Sequence, residues 1–174
     1  MKRILLAFIL VLSLCSVLCL ALASKNCETY GLVPVYQGPS DFYYEICTLP
    51  SGMAIQAIEY EIEDGKLWHL IEFNLGGKLY RGYAADDTPI AFESASGYSE
   101  AYHSEDEIRF IVRDEAVYAA PSRNAAITGE VLKDETVTVL DNFGDLILID
   151  YEKYGRPCRG YISSNNVTSV FPEW

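Results

Sequence analysis

Along "AIQAIEYEI" (54–62), Ile58, Tyr60 and Ile62 alternate with Glu59 and Glu61. That period of two is the signature of a strand with one buried and one polar face. Val137 and Val139 flank Thr138 in the same way, and Leu146–Ile149 is an unbroken apolar run suited to a strand covered on both faces. Asp64-Gly65 and Asn142-Phe143-Gly144 read as turns, as do Gly76-Gly77 and Tyr154-Gly155 further on. The chain beyond residue 24 carries no long amphipathic helical pattern. Short strands punctuated by Gly, Pro and Asp predict an all-β molecule of small antiparallel barrels, closed to remove exposed edges.

The pattern occurs twice. At an offset of 82 residues "VYQGPS" (35–40) meets "VYAAPS" (117–122), and "CTLPSGMAIQAI" (47–58) meets "GEVLKDETVTVL" (129–140). The offset then becomes 78: "WHLIEF" (68–73) falls on "LILIDY" (146–151), and Arg81-Gly82-Tyr83 on Arg159-Gly160-Tyr161, identical at all three positions. The four extra residues sit in one turn, where surface loops tolerate length change. Matches in the same order, broken only at a turn, mark a tandem duplication. The division expected is a first domain over 25–88, a linker over 89–106 and a second domain over 107–171. A barrel of this size is marginal alone, so docking of the copies or one disulfide is expected to support it.

Upstream, Lys2 and Arg3 precede a continuous apolar run ending at Ala21-Leu22-Ala23. This is the layout of a secretory signal peptide over residues 1–23, and predicts an exported, extracytoplasmic protein without a membrane span once the leader is cleaved. The chain is acidic at net −12, and losing Lys2 and Arg3 takes it to −14. Such a surface disfavours nucleic acid and anionic lipid and leaves neutral glycans, amine-bearing peptides, cations and basic proteins as partners. In an oxidising compartment Cys27, Cys47 and Cys158 allow one bridge, with Cys27–Cys47 the first choice because both lie in the first copy. Their spacing gives no zinc signature.

The order Val-x-x-x-Pro-Ser, polar turn, "VTVL" strand, then Gly-Tyr-(Ile/Ala)-(Ser/Ala) resembles the bacterial SH3-like (SH3b) domain, present here as a tandem pair over about 33–87 and 112–168. The second copy, with "GEVLKDETVTVL" and "GYISSNNV", fits better. The first departs in "FYYEIC" (42–47), and the arginine that follows the first valine in the family is Tyr36 and Tyr118 here. The resemblance implies SH3-like barrels acting at the cell envelope on peptidoglycan, more on its peptide than on its glycan. Asn166-Val167-Thr168 fits the N-glycosylation pattern; with a bacterial family it reads as coincidence.

Catalytic chemistry finds little footing. Two histidines, His69 in a strand and His103 in the linker, face cysteines set in acidic rather than electropositive surroundings, the reverse of what activates a thiol. The acidic turn (Glu59, Glu61, Glu63, Asp64) lacks a calcium-loop pattern and reads as a solvated face. No metal or cofactor is expected, and no enzymatic activity. Aromatic residues are the stronger signal: tyrosine and tryptophan offer large contact area at low entropic cost. Three consecutive aromatics at Phe42–Tyr44 cannot all point inward, and the second copy has Asn124-Ala125-Ala126 there. The expected ligand surface therefore comprises Tyr36, Phe42, Tyr43, Tyr44 and Trp68, with Glu59 and Glu61 as acidic walls for a ligand amine. Two functions follow: a non-enzymatic envelope-binding module recognising peptidoglycan peptide, or an adaptor for a basic extracytoplasmic protein.

Overall fold

The computed structural model describes residues 25–92, 99–103 and 105–170; the signal peptide expected over residues 1–23 lies outside them. The chain forms two curled antiparallel sheets of seven strands each. The first contains β1 (Lys25–Thr29), β2 (Val33–Tyr36), β3 (Glu45–Leu49), β4 (Ala54–Glu63), β5 (Lys66–Leu75), β6 (Lys78–Ala85) and β7 (Ile90–Phe92). The second contains β8 (Glu107–Ile111), β9 (Glu115–Tyr118), β10 (Ile127–Val131), β11 (Thr136–Phe143), β12 (Leu146–Lys153), β13 (Arg156–Ser163) and β14 (Val167–Thr168). Their strand orders, β3-β2-β6-β5-β4-β1-β7 and β10-β9-β13-β12-β11-β8-β14, are the same order shifted by seven. The duplication is thus a duplication of fold: two small barrels in tandem. Strand β7 pairs with β1, so the first barrel reaches into the stretch expected as linker.

Each barrel has two apolar layers. Inside the first lie Val33, Val35, Leu49, Ile55, Ala57 and Ile71; inside the second lie Val117, Val131, Val137, Val139 and Ile149, the counterparts of all of these but Val33. Outside, Trp68, Leu70 and Tyr83 form a second cluster on one barrel, and Leu140, Leu148 and Tyr161 form one on the other. The apolar run 146–149 is buried throughout, Ile147 and Ile149 joining the interior and Leu148 the outer cluster. Burial on both faces explains why β12 shows no alternation.

Strand β4 departs from its expected phase. The register with β5 slips between Ala57 and Glu59, a β-bulge that places an extra residue at Ile58. Ile55 and Ala57 therefore supply the core, whereas Ile62, expected inward, is 56% exposed. The same bulge recurs between Val139 and Asp141. Gly82 and Gly160 are needed for close approach: a β-carbon on either would meet the side chain of Val35 or Val117 and the carbonyl of Tyr36 or Tyr118.

Among the described residues no disulfide joins the cysteines, which corrects the expected Cys27–Cys47 bridge. Cys27 sits in β1 opposite Ile55 of β4, and Cys47 in β3 opposite Val35 of β2, on strands that are not ladder neighbours. Both pack into the first core as small hydrophobes. Asn166 is fully buried, its carboxamide donating to the Arg113 carbonyl and accepting from the Arg113 N–H, so folded protein offers no glycosylation acceptor there. Among the described residues no helix is long and apolar enough to cross a membrane.

Candidate functional site at the seam between the barrels

The outer clusters meet at a seam built from related pairs of contacts. The Tyr44 N–H donates to the Pro157 carbonyl at 3.1 Å, and the Ala126 N–H donates to the Leu79 carbonyl at the same distance. These bonds are the two images of one contact, since 44 and 126 differ by 82 and 79 and 157 by 78. Arg159 binds Asp150 on its own sheet through Nε and a terminal nitrogen (2.8 and 3.1 Å), and Arg81 binds Glu72 likewise through Nε (2.9 Å). Each arginine also reaches the tyrosine of the other copy: Arg159 Nη1 donates to the Tyr83 hydroxyl at 3.2 Å, and Arg81 faces Tyr161, whose proximity helps to hold its charge.

One side of the seam is more elaborate. Glu61 accepts from Arg159 Nη1 at 3.0 and 3.2 Å and from the Tyr83 hydroxyl at 2.5 Å, and it meets His103 Nε2 at 3.2 Å. The Tyr43 hydroxyl donates to Asp150 at 2.9 Å, and the Arg159 guanidinium lies 5.6 Å from the Tyr43 ring and 5.5 Å from the Tyr83 ring. Arg159 is 9% exposed. Burial alone would depress its proton affinity, yet Tyr83, Asp150 and Glu61 together hold it well above the usual arginine value. Burial likewise works against the Glu61 charge, but the His103 contact, the Arg159 charge and the Tyr83 hydroxyl bring its carboxyl down to about 2. At neutral pH this is a buried, fully ionised pair, stable because each charge keeps several partners.

The linker completes this side. Tyr60 exchanges backbone bonds with Ser99 and Ala101, and the Glu105 N–H donates to the Leu140 carbonyl, so the segment bridges the bulged strands of both barrels. His103 is thereby delivered to Glu61. Tyr102 of the same segment is 84% exposed.

The expected ligand residues divide into two groups. Trp68 is 3% exposed and meets Tyr36 edge-on at 5.8 Å, so both serve the outer cluster. Tyr43 and Glu61 are committed to Arg159, and Glu59 is half-buried with its carboxyl pushed up by burial while Arg81 pulls it down. The acidic walls are therefore not a solvated face: the outward side of β4 is the seam itself. Phe42 and Tyr44 remain at the surface, Phe42 at 71% exposure.

Their neighbours come from the other barrel. Arg156 donates to the carbonyls of Asp41 and Phe42 at 2.8 and 3.1 Å, clamping that loop on the β12–β13 turn. Lys153 Nζ lies 5.4 Å from the Tyr44 ring and 5.6 Å from the Tyr154 ring, an ammonium between two aromatic faces. Tyr154 is 87% exposed and holds a left-handed backbone, φ 54°. The matching turn of the first barrel uses Gly76 and Gly77 at φ 60° and 78°. A bulky residue where glycine is at ease costs about 1–2 kcal/mol, and such outliers cluster at functional positions. In the sequence Tyr154-Gly155 marks a turn; what sets it apart is a tyrosine standing where the first copy has glycine.

Cys47 and Cys158 have thiols pushed up by burial, Cys47 to about 11 with Glu45 adding to the effect. His69 Nε2 faces Asp86 at 2.7 Å. Among the described residues no group of three His, Cys, Asp or Glu side chains is placed to hold a metal ion.

Structural comparison finds NlpC1 and NlpC2 from Trichomonas vaginalis, each at 19% identity and TM-score 0.33. The matches cover 84% of this chain and 46% of NlpC1, and 86% of this chain and 49% of NlpC2. The chain thus spans about half the length of those proteins, and a likeness at this score carries no conclusion about activity. Neither a protein-family model nor a curated protein matches the sequence.

Proposed function

We propose that this is an exported, non-enzymatic binding module of the cell envelope, in which two SH3-like barrels are docked into one recognition unit for peptidoglycan peptide. The observation that carries the reading is the aromatic corner: Tyr44 from one barrel and Tyr154 from the other flank Lys153, and the exposed Phe42 belongs to the loop that Arg156 clamps there. Exposed aromatic faces with one central ammonium suit an extended peptide bearing a carboxylate, the rings covering its apolar surface and Lys153 taking its charge. This revises the expected mode of capture. Glu61 is already neutralised by Arg159, and the polar contact left at the surface is a cation. Thiols held in the protonated form and histidines spent on carboxylates support the non-enzymatic part.

Co-sedimentation with purified sacculi tests the reading. Wild-type protein is expected to pellet with sacculi, less so as salt rises. The Phe42→Ala/Tyr154→Gly variant removes two exposed anchors and is expected to lose at least about tenfold in affinity, the scale of a hot-spot pair. Equal pelleting of the variant, or none of the wild type, overturns it. A second reading, an adaptor for a basic extracytoplasmic protein, is favoured by the net charge of −12. It predicts no sacculus binding and a basic partner recovered by crosslinking.

A further inference from the structure

Strands β4 and β5 are paired only as far as Gln56↔Glu72. Beyond that point β4 continues along β1, and β5 along β6. The sheet splits there, and the wedge between the parting strands is a crevice of about 310 Å³. That is within the range of small-molecule sites, about 300–1,000 Å³. Its floor is apolar, with Ile55, Phe73 and Leu79, and its rim carries three carboxamides, Asn26, Gln56 and Asn74.

The rim is chemically matched. A carboxamide both donates and accepts, so three of them suit a neutral planar amide better than any ion. Among the described residues Gln56 Nε2 makes only a long contact of 3.5 Å, to Asn26 Oδ1. Glu72, on the same wall, has one carboxylate oxygen held at 2.9 Å by Arg81 Nε. A carboxylate has acceptor capacity on both oxygens, so Glu72 can also accept an N–H from a ligand. A ligand amide would give its N–H to Glu72 and take donors from the carboxamides at its C=O, over the apolar floor. None of the carboxamides is an inheritance of the fold: at the register-matched positions the second barrel has Ile108, Thr138 and Glu152.

We infer that this crevice is a second binding site, separate from the aromatic corner, for a compact neutral ligand presenting a secondary amide. Such a group occurs in an N-acetylated amino sugar and in a short uncharged peptide. The test is titration of isotopically labelled full-length mature protein with N-acetylglucosamine in one arm and N-acetylalanine methylamide in the other, following the side-chain NH₂ signals of Asn26, Gln56 and Asn74. Saturable shifts in one arm are expected and name the source. Gln56→Ala/Asn74→Ala is expected to weaken them by about tenfold, the scale of two lost hydrogen bonds. Both residues are exposed, so the variant keeps its fold, and Phe42→Ala should leave the shifts unchanged. No saturable shift in either arm, or equal shifts in the double variant, overturns the inference. Loss of sacculus binding in Phe42→Ala/Tyr154→Gly bears on the corner alone.

Discussion

The two barrels share strand order, bulge position, the Arg-Gly-Tyr strand and the backbone clasp, yet differ at a handful of side chains. Glu61 of the first barrel corresponds to Phe143 of the second, and where Tyr83 meets a carboxylate, Tyr161 meets the Phe143 ring edge-on at 5.4 Å. Tyr43 corresponds to the buried Ala125, and Tyr154 to Gly76. What is common docks the barrels; what differs concentrates charge, aromatic surface and carboxamides on particular sides. A duplicated fold that pairs with itself keeps its mating surface in both copies and leaves other positions to specialise.

The two arginines give the sharpest contrast. Arg159 has two carboxylates and 8% side-chain exposure, whereas Arg81 pairs with Glu72 at 22%. Removing one partner from a buried pair strands the others, at about 3–5 kcal/mol. Arg159→Ala is therefore expected to lose about that much in denaturant unfolding, and Arg81→Ala only about 1–2 kcal/mol, because solvent screens its pair. Equal losses would erase the asymmetry. Acid gives the next effect. The Glu61 carboxyl is lowered from 4.5 to about 2, so its stabilisation is present above pH 4.5 and is lost as pH falls towards 2. The shift corresponds to about 3 kcal/mol, and the stability curve of Glu61→Gln should be flatter across that window. Raised Glu59 acts in the opposite sense, so comparison with the variant isolates Glu61. Tyr43→Phe loses the bond to Asp150 and is expected to cost about 1–2 kcal/mol, with no counterpart at Ala125. Smallest is Tyr154→Gly, expected to raise stability by about 1 kcal/mol by relieving the left-handed backbone, while weakening sacculus binding.

The duplication, the strand punctuation and the all-β architecture were legible in the sequence because period-two patterns and paired turn residues repeat in order. The seam was not. Glu59 and Glu61 look like a solvated face when β4 is read alone; only a partner barrel bringing Arg159 makes burial of that charge tolerable, and no local pattern encodes a contact 98 residues away. The bulge at Ile58 was hidden for the same reason, since one added residue shifts the phase without altering composition. Phe42–Tyr44 stood out by number, but their different fates, Tyr43 inward to Asp150 and Phe42 outward, depend on the clasp to Pro157 and Arg156. Tyr154 was readable in principle, by laying the two turns over each other.

The aromatic corner takes residues from both barrels, so it exists only if the barrels move as one body. Backbone residual dipolar couplings of the mature protein at neutral pH measure this directly. One alignment tensor is expected to fit the amides of 25–92 and 107–168 together, in the orientation that brings Arg159 to Glu61. Two tensors of different magnitude, one for each barrel, would contradict it.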